Sequence, residues 1–210
     1  MGIIGGVGPE ATVDYYQSII ALYRQKRGDG SYPEFLVNSI NLQRGVELIT
    51  AGDWPGVVKY LLEQTEKLAR AGADFGLIAA NTPHIVFDEI RPQSSIPLIS
   101  IVEATCVTAK EQGLRRVGLF GTRFTMQAKF YPDVFARHGM TIVVPASADQ
   151  EYVHDKYMNE LVNGIFLSET RANLFAIIDR MKVDEQIDGL ILGGTELPLI
   201  LREDVHNGTP

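Results

Sequence analysis

Cysteine is almost absent from this chain of 210 residues, which contains only Cys106. A single thiol excludes an intramolecular disulfide and a cysteine-rich metal site. The histidines and acids are too scattered to suggest a metal site of another kind, so no metal is expected. Positive charge is also scarce: 19 Lys and Arg against 26 Asp and Glu leave a formal net charge of −7. Nucleic-acid binding rests on a basic face that neutralises phosphates, so that class is excluded, and no basic patch is present for an anionic membrane. No apolar run is long enough to span a bilayer, and the opening "MGIIGGVGPEAT" lacks the basic region and long apolar stretch of a secretion signal. Low-complexity segments and polar linkers are missing as well. The rest is ordinary globular composition, 45% hydrophobic and 21% charged, which points to a cytoplasmic protein acting on a small molecule.

Short aliphatic runs alternate with helical patterns. Strands are expected at Gly2–Gly6, Phe35–Ile40, Phe75–Ala79, Leu98–Ile101, Val117–Gly121, Thr141–Val144 and Gly189–Leu192. Between them, Trp54–Ala71 repeats Val57, Val58, Leu61, Leu62, Thr65, Leu68 and Ala69 at roughly helical spacing. Val13–Tyr23 places Val13, Tyr16, Ile19, Ile20 and Tyr23 on one face. Strands alternating with such helices predict an α/β fold built from mostly parallel sheets flanked by helices.

The chain also looks doubled. "ADFGLIAANTPH" aligns with "QIDGLILGGTEL", placing Asp74 on Asp188 and Ala80 on Gly194, and "GIIGGVGPEAT" pairs with "VGLFGTRFTMQ" in the same order at a nearly equal offset. Two similar, pseudo-symmetric lobes are expected, residues 1–98 and 99–210, with "SSIPLISI" as the crossover. Ligands of open α/β sheets bind beyond the carboxyl ends of the strands. Those ends are Gly5 to Gly8, Ala80 to Thr82, Gly121 to Thr122 and Gly193 to Glu196, and lobes of this kind are expected to aim them at a shared cleft.

Each candidate has two readings. "GGVGP" is neither G-x-G-x-x-G nor a phosphate loop, so it reads as a tight turn that also walls a site, with Pro9 near the helix start. Asn81 and Thr82 can hold a carboxylate or an α-amino group, while Thr82 before Pro83 can equally cap a helix. His84 and Glu196 can each move a proton, or can be a structural hydrogen-bonder and a first-turn glutamate respectively. "HDKY", His154 to Tyr157, reads as a solvated helix face with one member reaching a cleft. Arg44 can clamp a carboxylate or lie on the surface. Met126, Phe130 and Tyr131 read as packing.

Taken together, "IIGGVGPEAT", "AANTPH" followed by "DEI", "GLFGTRFT" and "LILGGTELPLIL" resemble, in order and over nearly the whole chain, the aspartate/glutamate racemase family. The resemblance implies two pseudo-symmetric α/β lobes, a homodimer, an amino-acid cleft and no cofactor. It implies two thiols that face opposite sides of the substrate Cα, one removing the α-proton and the other returning one. The positions matching those thiols hold Ala80 and Gly194 here, and Cys106 lies elsewhere, in "SIVEATC". The resemblance carries over Glu10, Thr12, Asn81, Thr82, Thr122, Thr125 and Thr195 as substrate-binding candidates. It also implies a trimmed chain, since the first strand is short and relatives continue beyond "NGTP".

The expected function is therefore a racemase-like isomerase of amino-acid metabolism. It would act on a small amino acid or related carboxylate by cofactor-independent α-proton transfer, with Glu196 and His84 as catalytic candidates and Tyr157 or Lys156 as further groups. Two alternatives stand beside it: a lyase or decarboxylase of the same fold, and a catalytically inactive carboxylate-binding protein.

Overall fold

The computed structural model describes every residue except 204. Two compact units divide between Ile101 and Val102. In the first, strands β1 (Gly2–Gly5), β2 (Leu36–Ser39), β3 (Gly76–Ile78) and β4 (Leu98–Ile99) form an all-parallel sheet in the order β2-β1-β3-β4. In the second, β5 (Arg116–Gly121), β6 (Thr141–Val143) and β7 (Gly189–Gly193) form a parallel sheet in the order β6-β5-β7. All seven expected strands are present, shifted by a residue or two at their ends.

The order of the first three strands repeats from one sheet to the other, β2-β1-β3 against β6-β5-β7. This is the pairing that the doubled sequence predicts, β1 with β5 and β3 with β7. A strand buried on both faces carries a continuous apolar run, and β1 and β5 do so: Ile3, Ile4, Val117, Leu119 and Phe120 are at most 1% exposed.

Helices connect the strands: α1 (Pro9–Arg27), α2 (Leu42–Thr50), α3 (Trp54–Arg70) and α4 (Phe87–Ile90) in the first unit, then α5 (Ile101–Glu111), which begins at the division. The second unit adds α6 (Arg123–Gln127), α7 (Phe130–Ala136), α8 (Ser147–Asn159), α9 (Ser168–Glu185) and α10 (Leu197–Ile200). Helix α3 shows how the sequence sets one up. Asp53 accepts from the Gly56 N–H as N-cap, a proline occupies the first turn, and Val57, Val58, Leu61 and Leu68 are buried as their spacing predicts.

The first core joins these residues to Ile4, Ile78, Phe87 and Ile90, and the second gathers Phe120, Tyr157, Leu174, Ile178 and Leu197. Helix α1 behaves differently. Its only buried residue is Ala11, and Val13 and Tyr16 are at least half exposed. Apolar spacing says which side chains share a helix face, but not that the same chain covers it.

Candidate functional site

In the first unit, the turn after β1 is held by a side chain. Gly6 has φ +78°, where a Cβ would lie 2.8 Å from the Ile40 carbonyl oxygen, so glycine is required there. Its N–H donates to Thr12 Oγ1 at 2.8 Å, and that hydroxyl also lies 3.3 Å from the Gly8 carbonyl. Thr12 thus braces the turn from the first turns of α1. Glu10, beside it, turns one carboxylate oxygen (Oε2) inward with no hydrogen-bond partner among the described residues.

At the end of β3, Ala80 and Asn81 are buried and Thr82 is half-buried. The expected helix from Pro83 is instead a 3-10 turn, Thr82–Val86, which hands over to α4. Thr82 is therefore inside the turn rather than capping it, and Asn81 precedes the turn without capping it through its side chain.

His84 is 2% exposed. Its Nε2 accepts from the Ile101 N–H at 3.2 Å, so the ring proton lies on Nδ1, which donates to the Ala80 carbonyl at 2.9 Å. The ring stacks on Phe87 at 4.8 Å. With both nitrogens in backbone hydrogen bonds, the imidazole fixes the carbonyl of Ala80, and it could act as a base only after giving up one of those bonds.

In the second unit, Thr122 at the end of β5 caps α6 by accepting from the Thr125 N–H, and the two hydroxyls lie 3.2 Å apart. The Arg123 N–H donates to His154 Nδ1 at 3.2 Å. Burial, and then the charge of Arg123, hold His154 below its ordinary pKa.

The end of β7 carries a buried polar cluster. Glu196 is 1% exposed, and its Oε2 accepts from the Thr195 hydroxyl at 3.0 Å and from the Tyr157 hydroxyl. Burial first, and then the negative charge of Glu196, push the Tyr157 phenol well above its ordinary pKa. The tyrosine ring also lies against Gly194: a Cβ built there would stand 3.0 Å from Cζ and 3.1 Å from Cδ2 of that ring, and closer still to Cε2.

The "HDKY" run thus separates into four environments. His154 binds the α6 turn, Asp155 accepts from Asn159, Lys156 pairs with Glu160 at 2.6 Å, and Tyr157 goes inward. Sequence reading placed the run on a solvated face with one member reaching a cleft, and it missed the contact of Tyr157 with Gly194. The signal available was the i, i+4 row Val153, Tyr157, Leu161, all buried.

Other candidates have settled roles. The guanidinium of Arg44 lies 4.5 Å from the centre of the Tyr60 ring. Met126 and Tyr131 are buried packing residues. Cys106 is buried in α5, where burial pushes its thiol up. No group of three or more His, Cys, Asp or Glu among the described residues could hold a metal ion.

A sequence model described as Asp/Glu/hydantoin racemase matches residues 4–209. The chain belongs to that family. It is 26% identical over 176 residues to the broad specificity amino-acid racemase RacX of Bacillus subtilis (strain 168), covering 82% of this chain and 72% of that one. Among solved structures it is similar to an aspartate racemase homologue from Pyrococcus horikoshii OT3, with TM-score 0.81 and 35% identity over 99% of this chain and 88% of the other. The aspartate racemase of Picrophilus torridus shares the fold, with TM-score 0.77 and 24% identity over 95% and 82% of the two chains. Within this racemase-family chain, β3 and β7 both run into polar side chains. Asn81 and Thr82 follow Ala80 at one, and Thr195 and Glu196 follow Gly194 at the other.

Proposed function

We propose that this chain is a racemase-family isomerase that moves the α-proton of a small amino acid or related carboxylate without a thiol pair and without a cofactor. The observation that carries this reading is the end of β7, where a buried glutamate shares one oxygen with a tyrosine and a threonine hydroxyl in a chain of racemase sequence. A buried carboxylate in a polar cluster is a reasonable store for a proton taken from carbon. Asn81 and Thr82 would bind the substrate's polar groups at the β3 end and Thr195 at the β7 end, and the inward carboxylate of Glu10 would suit an ammonium group. Thr12, Thr122 and Thr125 would serve through the turns they brace. His84, expected as a second base, enters this reading as a positioning residue for the Ala80 carbonyl.

The test is incubation in D₂O with L- and D-aspartate and glutamate, followed by proton NMR. Deuterium entering Cα supports the reading. Thermal stabilisation by the same amino acids without exchange would leave a carboxylate-binding protein. Asn81→Ala and Thr195→Ala should each shrink ligand-induced thermal stabilisation, and if both leave it unchanged the substrate is held elsewhere.

One observation favours a second reading, a one-sided reaction such as decarboxylation or elimination. The ring beside Ala80 is tied to the backbone through both nitrogens, whereas the end of β7 keeps a carboxylate and a phenol together. Chiral and mass analysis of the product separates the two: an isomerase yields the mirror image, and a lyase yields a compound of lower mass.

We further propose that the chain works as a cytoplasmic homodimer. No helix among the described residues is long and apolar enough to cross a membrane. The apolar side of α1 leaves Val13 and Tyr16 exposed, a face suited to a second copy.

A further inference from the structure

We propose that the Tyr157 hydroxyl, backed by Glu196, is the acid–base group of the β7 strand end, and that this phenol–carboxylate relay works from the space a side chain at position 194 would otherwise fill. The inference rests on the isomerase reading above and names the group that performs it.

Position is the first support. A Cβ on Gly194 would fall on the ring of Tyr157, so glycine there and tyrosine on α8 are complementary in shape. The ring is fixed in the row Val153, Tyr157, Leu161, and its hydroxyl is committed to Glu196 Oε2. The same oxygen takes the Thr195 hydroxyl, so the carboxylate is oriented by two donors.

Chemistry is the second. A phenolate beside a buried carboxylate would place two negative charges in contact, and burial together with Glu196 pushes the phenol away from ionising. A relay avoids that state. As the substrate Cα–H bond breaks, its electron pair stays on Cα and delocalises into the substrate carboxylate. The proton bonds to the Tyr157 oxygen, and the proton that oxygen held passes to Glu196 Oε2. Tyrosine is a neutral phenol before and after, and Glu196 changes from carboxylate to carboxylic acid. The reverse sequence returns a proton to Cα. The substrate's proton rests on Tyr157 and the displaced one on Glu196, so solvent deuterium reaches Cα once both of these hydroxyl protons have exchanged with water.

The competing account is packing alone, with glycine at 194 only to admit the ring. Tyr157→Phe keeps the ring and removes the relay. Wild type, Tyr157→Phe, Glu196→Gln and the double variant would be compared for α-proton exchange of L- and D-aspartate and glutamate in D₂O. Tyr152→Phe, whose hydroxyl accepts from Asn173 on a different side of α8, is the control. Each single variant should lose about 10²-fold or more in exchange, and the double should lose no more than either single, because the two groups act as a unit. Tyr157→Phe should keep its ligand-induced thermal shift.

If Tyr157→Phe exchanges within about twofold of a working wild type, a margin far below the cost of a lost proton-transfer group, the relay falls and the isomerase reading stands. A wild type that exchanges none of these substrates removes both. The pair is also testable without turnover, by NMR of tyrosine labelled at Cζ. Tyr157 should remain a phenol beyond the ordinary tyrosine range, and Glu196→Gln should bring its titration downward. A Tyr157 titration at the ordinary value, unmoved by Glu196→Gln, overturns the relay whether or not the variants fold well.

Discussion

Gly194 and Tyr157 show how much one missing methyl group can decide. The backbone at Gly194 is not in the left-handed region, so a side chain there meets no conformational penalty; what it meets is the tyrosine ring. Gly194→Ala should therefore destabilise the protein through overpacking, by about 1–3 kcal/mol, read as a lower urea midpoint. A variant as stable as wild type would mean that the ring swings aside at little cost, and the shape complementarity behind the relay would lose its force. His84 offers the opposite lesson. A histidine next to an Asn-Thr pair reads in the sequence either as a base or as a structural hydrogen-bonder, and both of its nitrogens bond backbone groups. Residue type identified a polar strand end, but hydrogen-bond partners, which lie 4 and 17 residues away, determine what the histidine does there.

Among the elements, α8 shows most directly what spacing alone conceals. Four consecutive titratable side chains read as a solvated face, but a helix turns each successive residue by about 100°, so they fan out to four different surroundings. His154 meets the Arg123 N–H, and its pKa is depressed by burial before charge. The sign follows directly: the neutral ring is favoured in the folded state, so its contribution to stability is present above the unfolded value near 6.5 and is lost as pH falls through the folded value. Wild-type urea midpoints should drop between about pH 7 and pH 5, and His154→Gln should flatten that step; an unchanged slope would place the pH dependence in another group.

The strands were legible because their aliphatic runs are short, three of them (β1, β5 and β7) end in glycine, and all seven lie where those runs predict. The 3-10 turn Thr82–Val86 was not legible. A proline after threonine signals a helix start equally well for either helix type. The contact of Tyr157 with Gly194 was hidden for another reason: it joins residues 37 positions apart, and one sequence carries no record of such pairs.

At the scale of the whole molecule, the two units repeat one strand order and differ in the residues that follow their strands. Both sheets place their first strand centrally and their third beside it, and both first strands end in glycine before a helix that carries a bracing threonine, Thr12 in one and Thr125 in the other. The third strands of the two halves end differently, with Ala80-Asn81-Thr82 in one and Gly194-Thr195-Glu196 in the other. α1 has no matching exposure problem in the second unit, where α6 buries Thr125 and Met126. Tyr16, half exposed, packs its ring 5.3 Å from Phe35, and Val37 on the edge strand β2 is 41% exposed, so the apolar side of α1 continues toward the sheet edge. Single exposed apolar residues are ordinary, but a connected patch at a helix and an edge strand marks an association surface. Light scattering should then give twice the 23.2 kDa chain mass at micromolar concentration, and Val13→Glu, at a side chain 56% exposed on this face, should halve it while leaving the circular dichroism spectrum unchanged. A wild-type mass equal to one chain would leave this face without its proposed partner, and Val13→Glu would then change nothing but solubility.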